Sequence, residues 1–200
     1  MGTGTPPRQR ALVRRARRGD HDAFSALVRP LIPRLYGLAG LVTGDPAAVE
    51  DVTQDALVRA WRDLPALRDP GRFEAWLRRL VVNAAHDEGR RRRRRGDVIS
   101  IAWAPEPAVM DGLENLARRD ELAAAFRTLS PDDRSALALR YYLDLSTAEA
   151  ARTLGVGEVA FRSRLHRALR RLGDAIGRDR GRSTMADDRA RAVSVSTAAD

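Results

Sequence analysis

Three polar residues in the stretch DVTQDALVRAW, residues 51–61, could hold a basic partner. On a helix, Asp51, Gln54 and Asp55 fall at i, i+3 and i+4, so they share one face, which Val58 and Arg62 continue. An acidic stripe is unexpected because the chain carries a formal net charge of +9. Such a face would repel phosphates, so DNA binding does not explain it. Periodicity alone favours an ordinary amphipathic helix with its acids near the positive end of the helix dipole.

A second polar face follows in the stretch RFEAWLRRLVVNAAHDEGR. Arg79, Asn83, His86 and Arg90 recur at i, i+4, i+7 and i+11, away from the apolar face of the same helix. Asn can read a base edge and Arg can hold backbone phosphates, so this face predicts DNA contact. The arginine run at 90–95 extends the basic surface, although such runs are often only solvated, unstructured charge.

The stretch STAEAARTLGVGEVAFRSRLHRALRRL has the pattern of a helix-turn-helix. Gly155 supplies the turn, Val156 fills the angle between the helices, and the small Ala151 allows their close approach. On the second helix, Arg side chains can bond a guanine edge, whereas Ser and His can bond a base or a phosphate. The alternative is an Arg-rich solvated helix end. The outward-facing candidates are Arg162, Ser163, His166 and Arg170.

Composition narrows the class of protein. All 36 basic residues are Arg and the sequence pI is about 11.2, which points to a polyanionic partner such as nucleic acid. The chain has no cysteine, which excludes disulfide scaffolds and thiolate sites, and its three histidines are far apart. We therefore predict no metal and no cofactor. The sequence shows neither a signal peptide nor an apolar run long enough to span a membrane, so we expect a cytoplasmic protein without membrane insertion.

Helical periodicity dominates the chain and predicts an all-α fold of two small helical domains joined by a flexible linker. The linker at 96–116 has two prolines and no basic residue, and its apolar patch VISIAW could be a strand or a docking segment. The tail lacks a sustained period, which predicts disorder. The predicted divisions are a basic N-terminal extension at 1–19, a first domain at 20–95, the linker at 96–116, a helix-turn-helix domain at 117–172 and a tail at 173–200.

The stretches DVTQDALVRAW and FEAWLRRLVVNAAHDEGRRR resemble region 2 of the extracytoplasmic-function (ECF, group IV) RNA polymerase sigma factors of the bacterial sigma-70 family. The stretch LSPDDRSALALRYYLDLSTAEAARTLGVGEVAFRSRLHRALRRL resembles their region 4. The resemblance covers about residues 20–172 and includes the linker between the regions. It implies a promoter-specificity subunit that binds core RNA polymerase and directs initiation at −35/−10 promoters, commonly under the control of an anti-sigma factor.

The resemblance also implies roles for the candidate residues. The helix at 51–61 would dock on the clamp helices of the largest polymerase subunit through Asp51, Gln54, Asp55, Val58 and Arg62. The next helix and the preceding stretch PALRDPGR would melt the −10 element and capture an unstacked base, with Arg79, Asn83, His86 and Arg90 as contributors. Region 4 would place Arg162, Ser163 and His166 in the major groove at −35, with Arg164 and Arg167 toward the backbone.

The sequence departs from the family pattern near the recognition helix. Ala160-Phe161 stands where Thr-Val is usual, and Ala150 stands where a larger aliphatic residue is common. These changes could repack the two helices and alter the −35 preference. Two other classes of protein remain to be compared. A free-standing helix-turn-helix regulator would not need the acidic face, and a nucleic-acid enzyme would need a metal cluster, phosphate loop or nucleophile constellation, which the sequence lacks.

Overall fold

The computed structural model describes residues 7–95 and 113–197, with side-chain surroundings described for residues 7–95 and 120–178. Within these ranges the chain is helical and contains no strand, which confirms the predicted all-α class. The α-helices there are α1 (Pro7–Ala16), α2 (His21–Val28), α3 (Ile32–Thr43), α4 (Val49–Asp63), α5 (Phe73–Arg95), α6 (Leu113–Arg127), α7 (Pro131–Leu137), α8 (Thr147–Leu154) and α9 (Glu158–Thr197).

The N-terminal unit is a bundle in which α3, α4 and α5 surround an apolar core. Leu38, Phe73, Leu77 and Val81 are fully buried there. Helix α3 ends at Gly44, whose φ of 69° is a left-handed conformation that glycine adopts without strain. The connections from α2 onward in this unit include short 3₁₀ segments, and each of these segments contains a proline, which disrupts a continuing helix but fits a first turn.

Helix α1 is part of this bundle, although the sequence predicted only a basic extension at 1–19. Val13 is fully buried and Ala16 is 3% exposed, so one side of α1 packs against the neighbouring helix α2. The Gln9 amide donates to Glu74 Oε1 at 3.0 Å, which fixes α1 to the start of α5. After α1, the Asp20 side chain caps α2 by accepting from the Ala23 backbone N–H at 2.9 Å.

The C-terminal unit contains α6 to α9 and has the predicted helix-turn-helix in α8 and α9. Ser146 and Glu149 form a reciprocal capping box at the start of α8. Gly155 ends α8 with a φ of 69°, and Phe161 and Ala150 are both fully buried. The large Phe161 side chain and the small Ala150 thus lie together in the same apolar cluster. A π-helical turn at Ala138–Tyr142 precedes the capping box.

Two of the predicted divisions differ from the structure or lie outside it. Helix α9 continues to Thr197, whereas the sequence predicted disorder from residue 173. The segment after residue 172 has no proline to end the helix, and Ala175 is 7% exposed and therefore still packed. The apolar patch VISIAW and most of the predicted linker lie outside the described residues.

The two helical units pack against each other and share a continuous apolar cluster. Helices α7 and α8 lie against α3 and α5, and Leu139 and Phe161 belong to the same cluster as Leu77 and Val81. Arg134 crosses this boundary with only 7% exposure. Its guanidinium donates to the backbone oxygens of Val42 at 3.0 Å, Thr43 at 3.1 Å and Leu129 at 3.1 Å. We call this arrangement the closed form.

Candidate polymerase and nucleic-acid interfaces

The outward face of α4 has the composition of a protein-docking surface. Val58 is 65% exposed although it is apolar. Gln54 and Asp51 lie one and two turns before it and are also exposed, and the Gln54 amide donates to Glu50 Oε1 at 3.2 Å. The opposite side of α4 is buried in the bundle through Val52, Thr53, Ala56 and Ala60. The predicted acidic face is therefore accessible and is held on a rigid element.

The other two residues of the predicted docking face already have partners within the chain. Asp55 pairs with Arg59 at 2.7 Å, and Arg59 also pairs with Asp87 of α5 at 2.9 Å. The hydrogen bond that Arg59 donates to Asp87, together with its bond to Asp55, raises the pKa of Arg59. Arg62 pairs with the adjacent Asp63 at 2.8 Å. Asp55 and Arg62 thus lie at the edges of the face and are paired, whereas Asp51 makes no ion pair with a described residue.

The polar face of α5 points toward the C-terminal unit in the closed form. Arg79 and Asn83 are exposed, and the Arg79 guanidinium lies against Gly155 at the turn of the helix-turn-helix. Arg90, also exposed, is held by Asp87. His86 is only half-buried, but its Nε2 lies 2.9 Å from the Ser135 hydroxyl of α7. The structure therefore brings the four predicted −10 residues onto one face, and α7 and α8 contact that face.

His86 is the centre of a charged cluster between the two units. Its Nδ1 lies 3.8 Å from Asp132, and Arg164 of α9 lies 3.5 Å from the same carboxylate. Burial lowers the pKa of His86, and the positive charges of Arg90 and Arg164 act in the same direction, while Asp132 opposes them. The imidazole is consequently neutral at physiological pH in the closed form.

The recognition helix α9 presents most of its predicted residues to solvent. Arg162, Ser163, His166, Arg167 and Arg170 are exposed, on the side opposite the buried Phe161 and Ala168. Arg164 differs because its side chain is 28% exposed and engages Asp132. The predicted phosphate contact of Arg164 would therefore require release from this ion pair.

The segment between α4 and α5 is compact and partly exposed. Leu64 and Leu67 anchor it in the core, and the Asp69 carboxylate accepts from the Gly71 backbone N–H at 2.8 Å. Arg68 and Arg72 are exposed on it. The predicted base-capturing stretch PALRDPGR is thus a structured loop with two exposed arginines at its surface, of which Arg72 pairs with Asp69 at 3.4 Å.

Sequence reasoning missed Arg134 and the fold of α1. Arg134 resembled any surface arginine in the sequence because its partners are backbone oxygens, which no residue type marks. Helix α1 could have been found, since Pro7 suits a first helical position, Val13 and Ala16 are spaced for one face, and Gly19 follows the helix. In the part of the chain that the structure describes, no cluster of potential metal ligands is present, and no helix is apolar and long enough to cross a membrane.

Comparison with protein families decides the classification. Residues 27–95 match the model of Sigma-70 region 2, and residues 119–172 match that of Sigma-70, region 4. The chain belongs to the sigma-70 family. Its two matched segments lie within the two helical units, so the acidic face of α4 lies in region 2 and the helix-turn-helix lies in region 4.

Curated relatives place this sigma-70 protein among the ECF sigma factors. It is 36% identical over 161 residues to the ECF RNA polymerase sigma factor SigL of Mycobacterium tuberculosis, covering 77% of this chain and 91% of that protein. It is 32% identical over 174 residues to the ECF RNA polymerase sigma factor BldN of Streptomyces coelicolor. That alignment covers 82% of this chain but only 64% of BldN.

Two solved structures have a similar fold. CnrH, in complex with the cytosolic domain of CnrY, matches with a TM-score of 0.64 and 30% identity over 86% of this chain and 99% of that one. RpoE from Bartonella quintana, in complex with the anti-sigma factor NepR, matches with a TM-score of 0.63 and 25% identity, covering 77% of this chain and 96% of that one. The helical fold is therefore shared with two proteins that were each solved in complex with a partner protein.

Proposed function

We propose that the chain is a promoter-specificity (sigma) subunit of bacterial RNA polymerase of the ECF, group IV type, without catalysis of its own. It would dock on core polymerase through α4, engage −10 DNA through α5 and the 64–72 loop, and read −35 DNA through α9. Since polymerase and promoter DNA are the proposed partners, it would act in the cytoplasm. The presence of partner proteins in the CnrH and RpoE structures supports an anti-sigma factor as a further partner.

The observation that carries this proposal is the exposed face of α4. Val58 is 65% exposed between polar neighbours, while the rest of the chain is strongly basic. A free-standing DNA-binding regulator would gain nothing from an acidic face beside its DNA-binding helix, because that face would repel phosphates. A basic protein surface with an apolar centre is the complementary partner, as expected for a rigid docking site.

The direct test is gel filtration of the nuclease-treated full-length chain with bacterial core polymerase. We expect the wild-type chain to co-elute with core and an Asp51→Arg/Gln54→Ala variant to lose co-elution while keeping its circular dichroism spectrum. The matched control is Asp22→Arg/Ser25→Ala, which makes the same two changes at i and i+3 on exposed positions of α2. Binding by the control and not by the α4 variant assigns docking to α4.

Failure of the wild-type chain to bind core would instead favour the free-standing regulator. If core binding is observed, the same holoenzyme is used to transcribe fragmented genomic DNA of the bacterium that carries the chain. Sequencing the 5′ ends of the transcripts then locates the promoters. A holoenzyme that binds but starts nowhere specific would contradict promoter selection by α5 and α9.

A further inference from the structure

Helix α1 presents a row of arginines beside the loop that precedes α5. Arg10, Arg14 and Arg17 follow at i, i+4 and i+7, and Arg18 lies next to this row. All four are exposed. Residues four apart on a helix are separated by roughly 6 Å along its axis, which is comparable to the separation of successive phosphates on a nucleic-acid strand. The row therefore has the spacing needed to follow a phosphate backbone.

The row is held in place by packing on one side and by the loop on the other. Val13 and Ala16 bury the inner side of α1. Arg17 donates to the backbone oxygen of Pro65 at 3.1 Å, and this bond fixes the end of α1 to the 64–72 loop. Arg14, Arg17, Arg18 and Pro65 line an open surface depression of about 330 Å³. A rigid helix with convergent guanidinium groups is organised before any anion binds.

Charge pairing separates this row from the other arginines of α1. Among the described residues, Arg10, Arg14 and Arg18 have no carboxylate partner, whereas Arg15 on the other side pairs with Asp20 at 2.8 Å. Three unneutralised guanidinium groups close together repel each other, and an anion with several oxygens removes that repulsion. The surrounding loop adds the exposed Arg68, and the acid of that loop, Asp69, pairs with Arg72 at 3.4 Å.

We propose that Arg10, Arg14, Arg17 and Arg18 form a phosphate-binding row that holds the promoter DNA backbone beside the 64–72 loop. This inference rests on the proposed function and extends it to a helix that lies before the matched region 2 segment at 27–95. The row reads no sequence, because phosphates carry none. It positions the strand next to the loop in which the unstacked base is expected to bind.

The test measures how tightly a promoter fragment binds to the holoenzyme that the full-length chain forms with core polymerase. The fragment is one on which the wild-type holoenzyme initiates, and its non-template strand at the −10 element is left single-stranded. We compare Arg14→Gln/Arg18→Gln with Arg8→Gln/Arg15→Gln, which removes the same charge from the other side of the same helix. Each phosphate contact to a single strand contributes about 0.7 to the slope of log K against log salt. Two lost contacts should make that slope shallower by about 1.4 and weaken binding roughly 25-fold at about 0.1 M salt.

A second set of probes replaces single phosphates around the −10 element with uncharged methylphosphonate linkages. At the contacted positions this replacement should weaken DNA binding by the wild-type holoenzyme and leave DNA binding by the Arg14→Gln/Arg18→Gln holoenzyme unchanged. The Arg8→Gln/Arg15→Gln holoenzyme should behave like wild type with every probe. Such non-additivity identifies the phosphates that the row contacts.

Three results would overturn the inference while the proposed function stands. The first is an equal loss of DNA affinity in both double variants, and the second is no loss of DNA affinity in either. The third is that the variant and the methylphosphonate weaken DNA binding additively at every position. Loss of core binding by Arg14→Gln/Arg18→Gln would also overturn it, since the row would then contact an acidic polymerase surface. If wild-type holoenzyme initiates on no fragment, the proposed function itself fails.

Discussion

Replacing Arg134 with methionine should open the closed form, because this side chain joins the two helical units through backbone oxygens. Met retains most of the length and apolar volume of the Arg stem but donates no hydrogen bond. The oxygens of Val42 and Thr43, at 3.0 Å and 3.1 Å from the guanidinium, would then be left without this donor at the end of α3. When the two units separate, water would donate hydrogen bonds to these two oxygens.

The size of the effect follows from these two oxygens. A buried carbonyl left without its donor costs about 1–3 kcal/mol, so two disfavour the closed form by roughly 2–6 kcal/mol. Part of this is offset because Met no longer buries a charge, and burial lowers the pKa of Arg134 to about 10. At about 1.4 kcal/mol per tenfold change, the ratio of open to closed molecules should rise roughly 30-fold to 20,000-fold, nearer the lower value.

The assay is a distance measurement between two spin labels on Ser25→Cys and Gly173→Cys. The chain has no native cysteine, so the labels attach only there. Ser25 is exposed, and a Cβ at Gly173 meets nothing within 4 Å. The Arg134→Met variant should show a broad distribution at longer distance, whereas wild type should show a narrow one.

The matched control for this change is Arg140→Met, which removes an arginine from the same unit. Arg140 bonds Asp144 at 3.2 Å and Leu145 O at 3.3 Å but does not reach α3. Its distance distribution should match wild type. An unchanged distribution in a folded Arg134→Met variant would refute the reasoning, since the bonds across the boundary would then contribute nothing to closure.

Three further predictions concern docking, packing and pH. Val58→Glu should lower the affinity for core polymerase more than tenfold in a titration, because burying an exposed Val contributes about 1.5–3 kcal/mol. Phe161→Ala should lower the free energy of unfolding of region 4 by about 3–5 kcal/mol in denaturant, since Phe161 is fully buried. Acidification from about pH 7.5 to about pH 5.5 should open the closed form in the spin-label assay, and His86→Gln should weaken that response.

The sign of the pH effect follows from the direction of the His86 shift. Burial lowers the pKa of His86 below its usual 6.5 in the closed form, so the open form takes up the proton first as pH falls. The closed form therefore keeps its stability above about pH 6.5 and loses it below. Arg164, Arg90 and Asp132 are the charged groups that surround the ring. Closure that is insensitive to pH would contradict this reasoning.

Substitutions at Val159 provide the controls for Val58→Glu and Phe161→Ala. It is 72% exposed near the start of α9, so Val159→Ala should alter stability by no more than about 0.5 kcal/mol. Val159→Glu should leave core affinity unchanged, because it lies in region 4 and away from α4. Equal losses from Val58→Glu and Val159→Glu would indicate nonspecific charge repulsion. A Phe161→Ala effect as small as that of Val159→Ala would mean that region 4 repacks around the vacancy.

Features with local causes could be predicted from the sequence. The acidic face of α4 follows from i, i+3 and i+4 spacing, and the exposure of Val58 agrees with that pattern. Gly155 marked the turn of the helix-turn-helix because a left-handed residue is needed after α8, and its φ is 69°. These features depend on residues within one or two helical turns, so the sequence contains what is needed to find them.

Features that join distant segments could not be predicted in the same way. Arg134 bonds backbone oxygens about ninety residues earlier in the chain, and those oxygens leave no trace in residue type. The same holds for Gly37, where a Cβ would overlap the Tyr142 hydroxyl. In the sequence Gly37 is only a weak helix former, whereas in the structure it makes room for region 4. Contact between the units was therefore invisible to periodicity and composition.

The exposures in the closed form imply an order of events under the proposed function. Asp51, Gln54 and Val58 are accessible while the two units are packed together, so α4 can meet polymerase without any rearrangement. The −10 face of α5 differs, since His86 is bonded to Ser135 and Arg79 lies against Gly155. DNA can reach the whole of that face, His86 included, only after region 4 moves away. Docking on polymerase can therefore precede opening, and any ligand that binds the open form better draws the equilibrium toward promoter binding.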